Sequence, residues 1–574
     1  MRTVRARRRL FGILGSFVAG LTLVVLFAEP ASAHALLKST TPTKGQTVAV
    51  SPQQLDLVFT ENVEISPTSI QLFNQKGDRV DIGAPRHSAK TDAEVQADVP
   101  HLDNGAYVVT WQVISADSHP VHGAFTFAVG RSSGNVDALA AKLEAAQAGN
   151  KTVGVLFAIA RAASFAGIAL LLGGVAFAAA IRSPGRRRSR ADAIVWIGWG
   201  VLFVATVAAV MLQGPYASSL PLLNAFHVND IRAVLHTRYG HYAEIRLILL
   251  LLALPLLLMV RRAWRPPAWW WFPITLIGVA IAATPGLAGH AATGIWTNLA
   301  VPLDTLHVLA MAIWLGGLAS LALVVLDRDP DARRTAERFS PVAATSVALI
   351  VVSGVFAAWR QVGWSRDAFV DTTFGRLLLV KIAFFIGLLA LAAWSRRIVR
   401  ARRPATLSAA VAIDTATPPP GQTVPADPEV RNLRWSVAGE LIFGIAVLIT
   451  TSLLVNSQPA RGALAVPFST EMRSTQPPML VDVTIDPAKA GPVVIHIYTL
   501  TPSGANSYIV DATATMSLPS KGIAPIDVPL ERAGPSHFRN TNFTIPFAGK
   551  WTLVVRAFKT QVDEAAVQTT VNIR

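Results

Sequence analysis

The chain of 574 residues contains no cysteine, which excludes disulfide bonds and thiolate metal sites. Charged residues make up only 15% of the chain, while hydrophobic residues make up 52%, a balance typical of a membrane protein. Two motifs of ATP-driven proteins are also missing, the phosphate loop Gly-x-x-x-x-Gly-Lys-Ser/Thr and the segment Asp-Lys-Thr-Gly. Any movement of a solute by this chain would therefore depend on gradients or on trapping.

The net charge of +16 does not indicate a nucleic-acid-binding protein. Much of the basic charge falls in short blocks beside apolar runs, which is the pattern that orients a chain in a membrane. We therefore expect the lipid bilayer, and no nucleic acid, as a partner.

The first residues predict a secretory signal peptide over 1–33. A basic start is followed by an apolar run over 10–27 and by small residues that end in Ala33. Cleavage there would make His34 the new N-terminus, whose α-amine and imidazole can chelate one metal ion. Asp117 and His119 stand at i and i+2, so on a strand they share a face. Three nitrogens and a carboxylate in a plane suit Cu(II), whereas each histidine alone could be a solvated polar residue.

Residues 34–130 predict an all-β domain, because short alternating segments are separated by turn signals such as Asp103-Asn104-Gly105. The alternation over 107–113 predicts a half-buried strand. Residues 131–151 predict a partly helical linker.

The same region resembles the copper-resistance protein CopC. The resemblance rests on these segments: His34-Ala35-Leu36-Leu37-Lys38-Ser39, Pro42-x-x-Gly45, Leu55-Asp56-Leu57-Val58-Phe59, Gly105-Ala106-Tyr107-Val108-Val109-Thr110-Trp111 and Ser115 to Phe127. It implies an Ig-like β-sandwich or barrel that binds Cu(II) through His34, Asp117 and His119. His122 is a further candidate ligand, with a solvent-facing histidine as the alternative. The segment has no methionine, so we do not expect the methionine-rich Cu(I) site of some relatives.

Residues 152–458 predict a transmembrane domain of eight helices, because a span needs roughly 20 apolar residues. The runs are 153–181, 193–213, 243–260, 269–289, 301–326, 339–358, 376–395 and 435–456. Basic blocks such as Arg186-Arg187-Arg188 occupy alternate loops, which predicts that these loops are cytoplasmic. We therefore expect a multi-pass protein of the plasma (inner) membrane with both termini extracytoplasmic.

This topology places His241, His290 and His307 at or near the outer ends of helices. His307 shares a helix face with Met311, and Gly316-Gly317 would permit a neighbouring helix to approach closely. One interpretation is a copper-accepting site of His307 with His290 and His241, to which Met311 would add a thioether. The alternative is a core histidine that is hydrogen-bonded to a neighbouring helix.

Arg161, Lys381 and Glu440 are further ionisable residues inside the predicted spans. Charges inside a membrane are costly and are usually paired or face a polar cavity. Both a structural ion pair and an ion or proton pathway fit this pattern.

The membrane part resembles the CopD copper-resistance or copper-import proteins. The segments that carry this resemblance are Gly289-His290-Ala291, Asp304-Thr305-Leu306-His307, Trp314-Leu315-Gly316-Gly317, Phe374 to Lys381 and Arg434 to Glu440. The resemblance implies inward transport of copper, with the exported domain as the module that captures it.

Residues 459–574 predict a second extracytoplasmic β-sandwich, faintly similar to YtkA-like exported domains. His496, His537, Met472 and Met479 are weak metal candidates there because they are isolated in the sequence. The stretch Thr417-Pro418-Pro419-Pro420-Gly421 predicts disorder in a cytoplasmic loop.

Together these features favour a copper-binding membrane transporter without catalytic residues. A periplasmic or extracellular copper chaperone is a candidate partner. The alternatives are an external protein that sequesters copper without moving it, and a membrane reductase or oxidase-assembly factor. Copper is the expected ion, as Cu(II) at the exported site.

Overall fold

The computed structural model describes residues 35, 37–116, 118–130, 136–146, 150–178, 193–262, 267–326, 332–364, 366–400, 428–463, 468–502 and 507–573. The expected signal peptide, His34, Asp117 and the proline-rich stretch 417–421 lie outside these ranges. Along the chain, a block of strands is followed by a block of helices and then by a second block of strands.

The N-terminal block is a β-sandwich. One sheet has the strand order β1-β3-β8-β7, and the other has the order β2-β10-β9-β5-β6 with β4 beside β9. Strand β3 alternates between half-buried and buried positions, which places Leu55 and Leu57 in the core between the sheets. The strands are β1 Leu37–Thr41, β2 Thr47–Val48, β3 Gln54–Phe59, β4 Val63–Glu64, β5 Ile70–Asn74, β6 Arg79–Val80, β7 Arg86–Ser88, β8 Thr91–Asp98, β9 Gly105–Ser115 and β10 Pro120–Val129.

Strand β9 is buried on both faces along nearly its whole length. The prediction of a half-buried strand is therefore wrong, because the outer face of β9 is covered as well as its inner face. Helix α1, Asp137–Ala146 in the predicted linker, packs Leu139 and Leu143 beside the buried side chain of Val108. Farther along β9, Gln112 contacts the helical block.

The helical block begins with a long helix that passes through a π-helical turn at Ala169–Gly173. Short 3₁₀ turns at Leu222–Phe226, Ala268–Trp270 and His290–Ala292 precede later helices. The helices are α2 Lys151–Ile168, α3 Ala193–Ala217, α4 Val228–Leu235, α5 Arg238–Arg262, α6 Trp271–Leu287, α7 Thr297–Leu326, α8 Ala332–Gln361, α9 Arg366–Val370, α10 Thr373–Arg400, α11 Pro428–Val455 and α12 Ala460–Ala463.

Within the described residues, seven helical segments are long and apolar enough to cross a membrane. They correspond to the first seven predicted spans. The eighth predicted span falls on α11, whose described apolar part, Gly439–Val455, is shorter than the others. The count of eight helices stays a prediction.

Glycines let helices of the bundle approach each other closely. A Cβ at Gly316 on α7 would overlap the carbonyl oxygen of Ala169, and one at Gly173 would overlap the carbonyl oxygen of Ala312. A Cβ at Gly317 would overlap the ring of Phe339 on α8. The expectation that the Gly316-Gly317 pair permits close approach of a neighbouring helix is confirmed.

The C-terminal block is also a β-sandwich, with sheets of order β11-β12-β13-β17-β16 and β15-β14-β18-β19. Met472 and Met479 are buried in its apolar core, so their thioethers pack against hydrophobic side chains. The strands are β11 Phe468–Thr475, β12 Pro478–Asp486, β13 Gly491–Leu500, β14 Asp511–Leu518, β15 Ile523–Val528, β16 Glu531–Gly534, β17 His537–Ile545, β18 Gly549–Phe558 and β19 Glu564–Ile573.

Candidate functional site

The N-terminal sandwich sits directly on one end of the helical block. Gln112 on β9 donates from Nε2 to the carbonyl oxygen of Ala217, at the end of α3, over 2.7 Å. The hydroxyl of Ser118, in the turn after β9, donates to the carbonyl oxygen of Ala288, just after α6, over 2.8 Å. Because these bonds are buried, the two blocks share a desolvated interface at this end of the bundle.

His119 and His290 meet across this interface, and we call this pair the histidine junction. Their rings stack with centroids 4.7 Å apart and an angle of 4° between the planes. Only 9% of His119 and 8% of His290 are exposed. A residue of the N-terminal sandwich and a residue of the helical block thus share one buried environment.

The hydrogen bond of His119 fixes the tautomer of its neutral ring. Its Nε2 lies 2.7 Å from the carbonyl oxygen of Val455, at the end of α11. A carbonyl oxygen can only accept, so Nε2 carries the proton and donates. In the neutral ring the lone pair then lies on Nδ1, which is the nitrogen that can bind a metal ion.

Local structure places both histidines at the tips of short connections. Ser118, with a φ of +70°, turns the chain between β9 and β10, and His119 follows it. His290 opens the 3₁₀ turn between α6 and α7. Two tight turns therefore face each other at the interface.

Arg360, at the end of α8, holds the turn that carries His290. Its guanidinium donates to the carbonyl oxygens of Thr293 at 2.5 Å and Ile295 at 3.3 Å, and also to that of His290. Arg360 is buried, and a planar guanidinium can serve several carbonyls at once. The position of His290 thus depends on Arg360.

Arg161 secures the other side of the junction. It donates to the carbonyl oxygen of Val455 at 3.3 Å and to the side-chain oxygen of Asn456 at 2.6 Å. Its guanidinium also lies over the rings of Phe157 and Tyr239. Among the described residues Arg161 therefore binds the end of α11, the same carbonyl group that accepts from His119.

Below the junction lies a group of polar side chains inside the bundle, which we call the buried polar cluster: Asp304, His307, Ser353 and Lys381. His307 lies ten residues into α7, about 15 Å along the helix axis from its start. Its Nδ1 lies 2.9 Å from the hydroxyl of Ser353, and that hydroxyl donates to the carbonyl oxygen of Leu349 at 2.5 Å.

Since Ser353 has one hydroxyl proton, it must accept from Nδ1 of His307, which leaves the lone pair of the neutral His307 ring on Nε2. Asp304 packs against α6, where a Cβ at Gly286 would overlap its carboxylate. Lys381 lies within electrostatic range of both Asp304 and His307. The cluster thus combines a carboxyl group, an amine and an imidazole inside the bundle.

Glu64 on β4 forms another contact between the sandwich and the helices. Its Oε1 accepts from the backbone N–H of Arg238 over 2.6 Å. Burial raises the pKa of Glu64 above its ordinary value of 4.5, and the hydrogen bond and the charge of Arg238 lower it by less.

The structure brings some of the predicted site residues together and separates others. His34 and Asp117 lie outside the described residues, so the predicted Cu(II) ligand set is seen only at His119. His122 is partly exposed on β10. Across the described ranges, no three His, Asp or Glu side chains converge closely enough to hold a metal ion.

Among the predicted membrane ligands, His290 is joined to His119, whereas His241 is exposed at the start of α5 beside Tyr242. Met311 packs among apolar side chains of the bundle. His307 is bonded to a neighbouring helix, as the alternative interpretation of this residue expected. Lys381 lies near Asp304, and Glu440 is buried on α11.

Three polar residues of the bundle were missed by the sequence reasoning. Asp304 and Arg360 adjoin the predicted histidines, and Arg246 donates to the side chains of Thr284 and Ser164 inside the bundle. Each is an ionisable residue within or at the edge of an apolar run. That signal identified Arg161, Lys381 and Glu440 and applies equally to these three.

Three segments of the chain match known protein families. Residues 37–130 match the family described as "CopC domain", residues 152–299 match "Copper resistance protein D-like, N-terminal domain", and residues 333–454 match "Copper resistance protein D". The chain is 24% identical to the "Copper transport protein CutJ" of Bacillus subtilis, over 96% of this chain and 98% of that protein.

Two further relatives match the N-terminal sandwich. The "Copper resistance protein C" of Escherichia coli is 32% identical over 117 residues, which are 19% of this chain and 90% of that protein. The crystal structure of CopC from Methylosinus trichosporium OB3b is 31% identical, covers 18% of this chain and 98% of its own, and has a TM-score of 0.16. The chain therefore belongs to the copper transport and resistance proteins in which a CopC domain and a CopD domain are fused in one membrane polypeptide.

Proposed function

We propose that this protein imports copper across the plasma membrane, without chemical catalysis, and that the histidine junction is where the ion passes from the exported domain to the membrane domain. Cu(II) would be captured outside by His34, Asp117 and His119, the ligand set that the CopC resemblance implies. The stacking of His119 on His290 is the observation that carries this proposal.

Transfer at the junction would be a ligand exchange. An ion held by Nδ1 of His119 lies next to the ring of His290, so it can change partners without returning to bulk water. Burial of both rings favours this route because water competes poorly in a desolvated interface. A domain that only sequestered copper would have no need to bury its ligand against the membrane block.

The buried polar cluster would bind the ion after it leaves the histidine junction. Asp304 offers a negative carboxylate to a cation entering from the junction, and Nε2 of His307 carries the lone pair in its neutral ring. Arg360 and Lys381 lie within electrostatic range of Asp304. The proposed path of the ion runs from His119 through His290 and Asp304 to His307, that is, from the interface into the bundle.

Transport would run on the copper gradient or on trapping of copper in the cytoplasm, since the sequence has no ATP-binding motif. The basic loops predict that the end of the bundle with the sandwich faces outward. An extracellular copper chaperone could load the exported domain.

Copper accumulation in cells that lack the protein tests the proposal. These cells are complemented with wild type or with His119→Ala, His290→Ala or His307→Ala, and cellular copper is measured by mass spectrometry. We expect each variant to lower copper uptake to near the level of cells without the protein. We also expect the His119→Ala/His290→Ala double variant to be no worse than either single variant, because both act at one step.

Matched controls are His101→Ala in the sandwich and His236→Ala in the helical block, both of which remove an exposed histidine. Both controls should transport normally. If all three junction and cluster variants accumulate copper like wild type while copper tolerance of the cells falls, the protein sequesters copper and import is wrong.

A further inference from the structure

The outer face of the C-terminal sheet carries a second histidine pair. His496 on β13 and His537 on β17 approach each other with 3.0 Å between Nδ1 of the first and Nε2 of the second. Their ring centroids are 5.2 Å apart. The neighbouring residues Ile495 and Ile497 point into the apolar core, so the two histidines occupy the opposite face of the sheet.

This spacing fits two ligands of one metal ion. With metal–nitrogen bonds of about 2.0 Å, two nitrogens are about 2.8 Å apart at a right angle and about 3.3 Å apart at the tetrahedral angle. The observed 3.0 Å lies between these values and close to the first. Neighbouring nitrogens at a right angle are typical of Cu(II), which prefers tetragonal sites with nitrogen and oxygen ligands.

The surroundings keep both rings in the form that binds metal. Burial, then the neighbouring His496 and Arg539, lowers the pKa of His537 to about 4. Burial, then Arg539 and Lys38, also lowers the pKa of His496. Both imidazoles are therefore neutral at physiological pH. One of the two facing nitrogens donates the hydrogen bond, and copper binding would move that proton to the other nitrogen of the same ring.

The two histidines have aromatic and polar neighbours on the same face of the sheet. The ring of Tyr498 stacks on His537 with centroids 4.2 Å apart and restricts its orientation. Asp482 on β12 is the cross-strand neighbour of Tyr498, and Thr484 is that of His496. Cross-strand neighbours have Cβ atoms roughly 5 Å apart, so this face offers oxygen donors beside the two nitrogens.

We propose that His496 and His537 form a second copper-binding site, on the C-terminal sandwich, that takes Cu(II) through two imidazole nitrogens at neighbouring coordination positions. Lys38 on β1 lies within electrostatic range of His496. This site is independent of the proposed transport, because it needs neither the histidine junction nor a direction of movement.

Copper binding by the purified full-length protein in detergent micelles tests the site. Cu(II) is titrated by equilibrium dialysis into the His119→Asn protein and into the same protein with His496→Asn and His537→Asn added. We expect the added changes to remove one bound copper ion per chain and the nitrogen couplings of that ion in electron paramagnetic resonance. Because His119 is changed in both proteins, failure of the histidine junction would leave this difference intact.

The matched control adds His101→Asn and His236→Asn to the His119→Asn protein, which again removes two histidines but leaves the pair in place. It should bind as much copper as the His119→Asn protein. Equal copper binding with and without the pair would overturn the proposal and leave the contact of His496 with His537 as a hydrogen bond.

A second measurement needs no variant and remains decisive if the changed protein fails to fold. Histidines of the wild-type protein are modified with diethylpyrocarbonate, with and without Cu(II), and the sites are read by mass spectrometry. Copper should protect His496 and His537 but not the exposed His236. Equal modification of the pair in both conditions would also contradict the site.

Discussion

At the histidine junction, two residues far apart in sequence share one stacked contact. The sequence identified each of them separately, His119 from an Asp-x-His pattern and His290 from its place at the end of an apolar run. Neither pattern contains information on which face of the sandwich rests on the helices. Contacts such as Ser118 with Ala288 decide that, and they depend on the three-dimensional fit of two domains.

The variant Arg360→Lys tests whether the turn that carries His290 depends on the planar guanidinium of Arg360 or only on its positive charge. Arg360→Lys keeps a cation near Asp304 but replaces a planar fork that serves three carbonyls with a single ammonium. We expect copper uptake to fall by about tenfold, since about 1.4 kcal/mol of positioning corresponds to that factor. Arg461→Lys, at a neighbouring exposed arginine, is the matched control.

Uptake by Arg360→Lys equal to that of the Arg461→Lys control would show that charge alone suffices. In that case Arg360 would act through Asp304, and Arg360→Gln should be the variant that fails.

Glu64 makes the stability of the fold depend on pH. Because its pKa is raised in the folded protein, the folded chain holds a proton that the unfolded chain has released. This contribution is fully present below pH 4.5 and is lost as the pH rises through the raised pKa. Glu64→Gln should therefore match wild type in acid and exceed it in thermal stability at neutral pH.

Thermal unfolding in detergent micelles between about pH 4 and pH 7.5 measures this difference. Asp92→Asn, at an exposed carboxylate of the same sandwich, is the control. A stability difference between Glu64→Gln and wild type that does not change with pH would mean that the Glu64 carboxylate is not buried against the helices.

The sequence patterns predicted the strands and helices themselves but not the elements that pack against them. Alternation located β9, and apolar length located the helices. That β9 is buried on both faces follows from α1 and from the end of α3, which cover its outer side. A single strand pattern cannot report such coverage, because the covering residues lie elsewhere in the chain.

The contact between α7 and the π-helical turn that continues α2 depends on a glycine. Gly316→Ala would place a methyl group against the carbonyl of Ala169, and such overpacking typically costs about 1–3 kcal/mol. Gly200→Ala on α3 is the matched control, because a Cβ there would meet open space. The control should be as stable as wild type or more stable, by up to about 1 kcal/mol. Thermal unfolding in micelles compares the two, and equal stability of both variants would show that α7 and this turn are not tightly packed.

At the scale of the whole molecule, the two sandwiches constrain the number of membrane crossings. Lys38 of the N-terminal sandwich lies within electrostatic range of His496 of the C-terminal one, so we expect both sandwiches on one side of the bilayer. That arrangement predicts an even number of crossings between them. Seven long apolar helices would put the sandwiches on opposite sides, so we expect α11, whose described apolar part is shorter, to be the eighth crossing. The end of α11 at Val455 touches His119, which places that end beside the N-terminal sandwich.

Because the chain contains no cysteine, single cysteines can report this topology directly. Lys76→Cys and Val562→Cys place a thiol on an exposed position of each sandwich, Val562 being 89% exposed. Ser189→Cys places one in a basic loop that the sequence predicts to be cytoplasmic. In spheroplasts treated with a maleimide that cannot cross membranes, we expect the first two to be labelled and the third to react only after lysis. Labelling of Lys76→Cys without Val562→Cys would mean an odd number of crossings, and the proximity of Lys38 to His496 would then be wrong.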